Sequence, residues 1–187
     1  MRITGGQKKG CRLAPFKGLD IRPTSDKVRE AIFNFLNQDM EGLHILDLFA
    51  GTGSFGIEAL SRGADHAVFI DNSVKSINLI KKNLEKCGYL KTALVIKKDL
   101  SRGLPVRPDF AQKKFDLVFI DPPYGRGLIP PLLKELAMGK IVRKTGMIIT
   151  ESQKYEILPD KQNGLTCGDS RRYGETKIDR YIYGENK

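Results

Sequence analysis

Residues 47–56 read DLFAGTGSFG and carry the strongest fold signal in this chain. Gly51, Gly53 and Gly56 have the spacing G-x-G-x-x-G, which is typical of the turn between a strand and a helix in α/β nucleotide-binding folds. The apolar run at residues 44–49 predicts the strand that enters this turn. In an open α/β sheet such a turn binds its ligand beyond the carboxyl end of the strand, beside a helix N-terminus.

The chain after this stretch continues the same alternation. Short apolar runs alternate with segments of helical periodicity, which predicts βαβ units and a mostly parallel sheet. Apolar residues recur every three or four positions from Val74 to Cys87, and Gly88 follows as a helix terminator, so a crossover helix is predicted there. The predicted strands are residues 44–49, 66–71, 93–99, 115–121 and 146–152. We predict an α/β, Rossmann-like fold with a seven-stranded, mostly parallel sheet and helices on both faces.

The N-terminal segments are expected to add to this core. Residues 1–20 predict a β-hairpin extension with a basic tip. Residues 24–37 predict a helix with Thr24 or Ser25 as its N-cap and with Arg29 on its polar face.

The remaining residues, 44–187, are the predicted core, which ends in an antiparallel hairpin that turns at Gly174 and Glu175. The chain has 187 residues, of which 40% are hydrophobic and 29% charged, and this size and composition suit one globular domain. We therefore predict a single domain over residues 1–187.

Composition also limits the class of protein. Cys11, Cys87 and Cys167 are odd in number and far apart, so neither a disulfide framework nor a zinc site is expected. No apolar run approaches the roughly 20 residues that span a bilayer, and the basic N-terminus has no apolar signal region behind it. We expect a reduced, cytoplasmic, monomeric protein without a membrane partner or a metal.

The net charge of +10 is concentrated at the N-terminus, where residues 1–30 hold eight cations and three acids. A basic surface of this kind suits a nucleic-acid partner, although a merely solvated surface is the alternative.

Asp47 distinguishes between two ligands of the glycine turn. A carboxylate beside a pyrophosphate would repel it, whereas the ammonium of S-adenosylmethionine would attract and hydrogen-bond the same carboxylate. Asp71 follows Gly51 by 20 residues and suits the ribose of either ligand. Asp99 ends the third strand, where it could accept the amine of adenine. Asp47 therefore favours S-adenosylmethionine over a nicotinamide dinucleotide, whereas Asp71 and Asp99 support a nucleoside ligand without choosing between the two.

The fourth predicted strand runs into Asp121, Pro122, Pro123 and Tyr124. Two consecutive prolines fix the backbone and make a stiff corner. The amine of a nucleobase is a poor nucleophile and needs acceptors, which the Asp121 carboxylate and the Pro122 carbonyl can provide while Tyr124 stacks on the base. The base must be single-stranded or flipped out to reach such a corner. The motif therefore predicts a methyl-accepting amine site.

Four stretches together resemble a known family, the S-adenosylmethionine-dependent guanine-N2 methyltransferases of bacterial small-subunit (16S) ribosomal RNA of the RsmD type. They are DLFAGTGSFGIEALSRGA from residue 47, DPPY from residue 121, RPTSDKVREAIFNFL from residue 22 and YGETKIDRY from residue 173. One departure is Cys11, where the family tends to have a basic residue.

The resemblance implies the roles of particular residues. The implied target-amine site is Asp121, Pro122, Pro123 and Tyr124. The implied cofactor pocket is Asp47, Phe49, Gly51, Thr52, Gly53, Asp71, Asn72, Asp99 and Leu100. The implied RNA-contacting residues are Arg2, Lys8, Lys9, Arg12, Arg22, Thr24 and Arg29.

Three alternatives remain open at this level. A DNA or RNA adenine-N6 methyltransferase shares the DPPY motif, but the chain has no evident module for reading a DNA site. A non-catalytic RNA-binding assembly factor would keep the fold without the chemistry. A nicotinamide dehydrogenase is disfavoured by Asp47 and by the lack of an obvious proton-transfer residue, since His44 and His66 both begin strands.

Overall fold

The computed structural model describes residues 1–16, 26–36 and 39–183, and the chain divides into two units, residues 1–97 and residues 98–187. The first unit contains three parallel strands in the order β3-β2-β1. Its elements are α1 (Asp26–Leu36), β1 (His44–Leu48), α2 (Ser54–Ser61), β2 (His66–Asp71), α3 (Val74–Cys87) and β3 (Ala93–Lys97). The strand-and-helix alternation predicted from the sequence is thus present.

Helix α3 has the bounds that its periodicity predicts. Ser73 caps its first turn, and Gly88 ends it in the left-handed conformation with φ 79°. Ile77, Ile80 and Leu84 are buried on its inner side.

The second unit joins a parallel pair of strands to an antiparallel end. β4 pairs in parallel with β5, β5 pairs antiparallel with β8, and β7 lies between β8 and β6. Its elements are α4 (Pro108–Ala111), β4 (Phe115–Ile120), α5 (Ile129–Met138), β5 (Val142–Gln153), β6 (Lys161–Gln162), β7 (Leu165–Tyr173) and β8 (Thr176–Tyr183). The closing hairpin turns at Gly174 and Glu175, as predicted.

The strand count differs from the predicted seven, because the described part of the chain contains eight strands. The additional one, β6, has only two residues and pairs with the start of β7. A strand this short has no periodicity that a sequence pattern could reveal.

The N-terminal segment is less regular than the predicted hairpin. Its only β-bridge within residues 1–16 joins Arg2 and Arg12, although the Ile3 amide also donates to the Cys11 carbonyl at 2.9 Å. Ile3 and Leu13 are buried at 1% and 3% exposure, so this N-terminal loop, residues 1–16, contributes to the core.

In helix α1, the predicted position of Arg29 is wrong. Arg29 does not lie on a polar face but is fully buried, and its guanidinium pairs with the buried Glu58 carboxylate at 3.3 Å. It also bonds Asp26 and the backbone carbonyl of Arg2. The proposed N-cap residues Thr24 and Ser25 lie outside the described residues. Among the described helices, none has both the length and the apolar character needed to cross a membrane.

Candidate active site

The glycine loop, residues 49–53, turns sharply after β1 and leads into α2. Gly51 and Gly53 have φ values of 56° and 78°, in the left-handed region that favours glycine. Phe49 also has a positive φ, 58°, which is uncommon for an aromatic residue and is typical of strained backbone at functional sites. A Cβ atom added at Gly51 would meet no atom nearer than 3.8 Å, so the backbone there leaves room for a ligand to approach.

Gly56, the third glycine of the motif, has a packing role. A Cβ atom at this position would lie 2.3 Å from Cε1 of Phe69 on β2. Helix α2 can therefore lie directly against the strand only because residue 56 has no side chain.

Asp47 is buried beneath the glycine loop. It is 1% exposed, and its Oδ2 accepts a hydrogen bond of 2.9 Å from the Gly56 amide. Burial raises the pKa of Asp47 from 3.8 to about 8, the Gly56 amide opposes this increase, and the nearby charge of Asp71 adds to it. Without a cation beside it, this carboxyl is mostly protonated at neutral pH. The sequence predicted Asp47 as a charged carboxylate. Because of its raised pKa, that charged form requires a cation beside it.

Asp71 connects the end of β2 to the glycine loop. Its Oδ2 accepts from the Gly51 amide and its Oδ1 from the Ser73 amide, each at 2.9 Å. The neighbouring Asn72 is exposed, whereas Thr52 is buried. The sequence predicted these residues as part of one cofactor pocket, and the structure brings Asp71 directly to Gly51.

These features of the first unit fit S-adenosylmethionine. The open backbone at Gly51 can lie close to a ligand, and the buried Asp47 carboxyl suits an ammonium group, which would restore its charge. Asp71 is an acceptor at a strand end, where ribose hydroxyls bind in folds of this kind.

Asp99 and Leu100, the other two predicted cofactor residues, open the second unit. Asp99 accepts bonds from the amide and hydroxyl of Ser101, and these bonds lower its pKa. Its side chain is 46% exposed, while Leu100 is buried. The cofactor role of both residues stays a prediction.

The proline corner, residues 121–124, directly follows β4. Asp121 is partly buried, Pro122 is buried and Pro123 is exposed. Tyr124 is 42% exposed, yet its hydroxyl donates to Glu151 Oε1 at 3.1 Å and lies 3.3 Å from Thr176 Oγ1. Burial is the main cause that raises the pKa of Tyr124 to about 12, with smaller contributions from the charges of Glu151 and Asp121.

Sequence reasoning did not identify Glu151 or Thr176. Glu151 lies near the carboxyl end of β5 and is 5% exposed, and Thr176 begins β8. The sequence has an acid directly after the apolar run MIIT, residues 147–150, and Thr176 lies in the stretch YGETKIDRY, but neither feature assigns a partner to Tyr124.

The predicted RNA-contacting residues fall into three groups. The side chains of the first group are exposed on the N-terminal loop: Arg2, Lys8, Lys9 and Arg12. Arg22 and Thr24 lie outside the described residues. The prediction that Arg29 contacts RNA is wrong, because Arg29 is fully buried in an ion pair with Glu58 and has no exposed surface. Across residues 1–16, 26–36 and 39–183, no three His, Cys, Asp or Glu side chains are grouped to hold a metal ion.

The parallel strands, the glycine loop and the acids at the strand ends define a Rossmann-like methyltransferase fold. The structure of the Escherichia coli protein yhhF superimposes with a TM-score of 0.82 at 30% identity, covering 98% of this chain and 99% of that one. A Thermus thermophilus protein, TTHA0928, gives 0.80 at 28% identity, over 98% of this chain and 99% of that one.

A family model described as "Conserved hypothetical protein 95" matches residues 1–182. The chain is 35% identical over 163 residues to the Escherichia coli K12 protein named "Ribosomal RNA small subunit methyltransferase D", covering 85% of this chain and 78% of that protein. It is 36% identical over 181 residues to Bacillus subtilis YlbH, over 97% and 98% of the two chains. The chain belongs to this family, the RsmD type.

Proposed function

We propose that this protein is an S-adenosylmethionine-dependent methyltransferase that modifies the exocyclic N2 amine of a guanine in small-subunit ribosomal RNA. The observation that carries the proposal is the proline corner, where Asp121 directly precedes two prolines and a tyrosine whose hydroxyl is held while much of the side chain stays exposed.

The residues of the corner supply what a nucleobase amine lacks. Its lone pair is delocalised into the ring, so acceptors must hold its two N–H groups while the lone pair is directed away from the ring plane. The Asp121 carboxylate and the Pro122 carbonyl are the proposed acceptors, and the Tyr124 ring is the proposed stacking surface. Positioning of this kind can lower a barrier by about 7 to 11 kcal/mol.

When bound, S-adenosylmethionine would supply its sulfonium methyl group to the amine nitrogen and leave as S-adenosylhomocysteine, and the methylated amine would lose one proton to the Asp121 carboxylate. Asp47 would hold the ammonium group of this cofactor, and Asp71 would accept from its ribose hydroxyls. Gly51 and Gly53 would let the backbone approach it, while Phe49, Thr52, Asn72, Asp99 and Leu100 are the remaining proposed contacts.

Family membership and charge support ribosomal RNA as the substrate. Relatives with 30–35% identity from several bacteria are named for methylation of the small ribosomal subunit. The exposed cations of the N-terminal loop, Arg2, Lys8, Lys9 and Arg12, would bind phosphates. Guanine rather than adenine, and N2 rather than another amine, rest on the motif resemblance.

The test measures transfer of a labelled methyl group. Small ribosomal subunits and duplex DNA are each incubated with the protein and methyl-labelled S-adenosylmethionine, and the nucleosides are then separated by mass. We expect N2-methylguanosine from the subunits and no label in the DNA. N6-methyladenine in either substrate, or no label in both, would contradict the proposal.

Asp121→Ala tests the chemistry directly, because it removes one proposed acceptor of the amine. We expect transfer to be lost while calorimetry still detects cofactor binding. Asp160→Ala is the matched control, since its side chain is exposed and outside the proposed site. Transfer by Asp121→Ala at the parent rate would refute the role of this carboxylate.

A further inference from the structure

The hydroxyl of Tyr124 forms hydrogen bonds with residues on two strands, β5 and β8, and the proline corner belongs to neither of them. Its single proton is donated to Glu151 on β5, so its oxygen is left to accept from the Thr176 hydroxyl on β8. Glu151 and Thr176 are far from Tyr124 in sequence, at separations of 27 and 52 residues. The aromatic side chain of a loop residue is thereby tied to the sheet.

The pairing of the strands explains why these groups meet. Ile120 pairs with Thr150 across β4 and β5, so Asp121 and Glu151 each come one residue after this pair. Gln153 pairs with Thr176 across β5 and β8, two residues beyond Glu151, so the Glu151 and Thr176 positions share one face of the sheet. Both hydrogen-bond partners of the phenol, the acceptor Glu151 and the donor Thr176, therefore come from paired strand residues.

The loop that follows the proline corner, residues 125–128, is not held by strand pairing. Gly125 and Gly127 both have positive φ values, 68° and 59°, and a Cβ at either would meet nothing within 4 Å. Neither glycine has a side chain that could pack against the ring of Tyr124. The hydroxyl bonds to β5 and β8 therefore constrain where the ring lies, and a bond to a carboxylate is the stronger kind.

We propose that Glu151 is a positioning residue, which with Thr176 anchors the Tyr124 ring so that the proline corner is already shaped for a planar base before the base arrives. That the proline corner accepts a guanine rests on the proposed function, whereas the anchoring of Tyr124 by Glu151 and Thr176 does not depend on that function. In this role Glu151 acts through its hydrogen bond to Tyr124 rather than on the reacting amine. An ordered ring costs the complex less conformational entropy, so the anchor should affect RNA binding as well as turnover.

A double-mutant cycle separates this role from a general structural one. Tyr124→Phe keeps the ring but removes the hydroxyl, and Glu151→Ala removes the acceptor. We expect each to lower kcat/KM about tenfold, as for loss of a charged hydrogen bond. If Glu151 acts only through the phenol, the double variant should also lose about tenfold rather than about a hundredfold. Additive losses would overturn the proposal.

Two further variants complete the cycle. Glu151→Gln keeps an oxygen that can accept from the phenol and should recover most of the loss. Glu175→Ala is the matched control, because its side chain is 75% exposed and lies next to Thr176 in the turn. Equal losses in Glu151→Gln and Glu151→Ala would contradict the anchor, as would an equal loss in Glu175→Ala.

A spectroscopic measurement tests the anchor without any substrate. Tyrosine labelled with ¹³C at Cζ gives one resonance for Tyr124, identified by its absence in Tyr124→Phe. We expect this resonance to shift in Glu151→Ala and not in Glu175→Ala, and an unchanged resonance in both would overturn the proposal. If the parent protein failed to methylate small subunits, the proposed function would fall while the resonance still reported on the anchor.

Discussion

Binding of S-adenosylmethionine is expected to release a proton from Asp47. Burial holds the pKa of this carboxyl at about 8 in the free protein, so at pH 7 it is mostly protonated. An ammonium group placed against it favours the ionised form. Between about pH 5.5 and about pH 7 the amino group of the cofactor stays protonated, because an α-amino group titrates near 7.7–8.0. Only the carboxyl then changes its charge on binding.

The size of the effect follows from this linkage. Each pH unit below 8 makes ionisation of Asp47 in the free protein about 1.4 kcal/mol more costly. The association constant should therefore rise about tenfold per unit, or about 30-fold from about pH 5.5 to about pH 7. Affinity increases with pH because the complex has lost the proton that the free protein holds.

Calorimetry in two buffers with different ionisation enthalpies measures the proton release directly. We expect close to one proton per cofactor at pH 7, and none for Asp47→Asn, whose amide has the same shape but does not ionise. An affinity that is constant across this pH range, with the same heat in both buffers, would refute contact between Asp47 and the ammonium.

The same pKa determines how the stability of the free protein depends on pH. The folded pKa of Asp47 is raised above the ordinary 3.8, so the folded state keeps a proton that the unfolded state loses. The free energy of unfolding should therefore fall as pH rises from about 4 to about 8. Denaturation of Asp47→Asn by urea should show a smaller decrease, and an identical pH dependence in both proteins would contradict the assignment.

Two further substitutions test the packing around the glycine loop. Glu58→Gln removes one charge of the buried pair with Arg29 and should cost about 3 kcal/mol, or roughly 6–12 °C in Tm, whereas the exposed Glu30→Gln on α1 should leave Tm unchanged. An equal Tm for the two variants would contradict the value assigned to the pair. Gly56→Ala places a methyl group 2.3 Å from the Phe69 ring and should cost about 1–3 kcal/mol by urea denaturation. Gly168→Ala, whose Cβ has no neighbour nearer than 3.8 Å, is its control, and equal losses would show that this clash is relieved without cost.

The sequence predicted those features whose causes are local. The apolar run before the glycine motif predicted β1, and the period of α3 with Gly88 at its end predicted both bounds of that helix. A positive φ at Gly51 and Gly53 follows from the tight turn that the motif requires. Each of these inferences needed only a short run of neighbouring residues and no knowledge of the tertiary fold.

The features that escaped the sequence depend on residues far apart in the chain. Arg29 looked like a surface residue because its partner Glu58 lies 29 positions later, on another helix. The anchor of Tyr124 depends on strand pairing that places Glu151 and Thr176 together. Burial of Asp47, which changes its charge, follows from packing beneath the loop and not from its position in the motif.

The Glu58 carboxylate has a consequence for how this protein can be engineered. It binds the amide and hydroxyl of Thr4 at 2.8 and 2.7 Å, in addition to Arg29 on α1 and Arg62 at the end of α2. A truncated chain that began after the N-terminal loop, residues 1–16, would leave the Glu58 carboxylate with fewer hydrogen-bond donors. It would also uncover the apolar surface against which Ile3 and Leu13 pack. The N-terminal loop is therefore not an independent module. A chimera that exchanges this loop between relatives must also exchange the residues that contact it, such as Glu58.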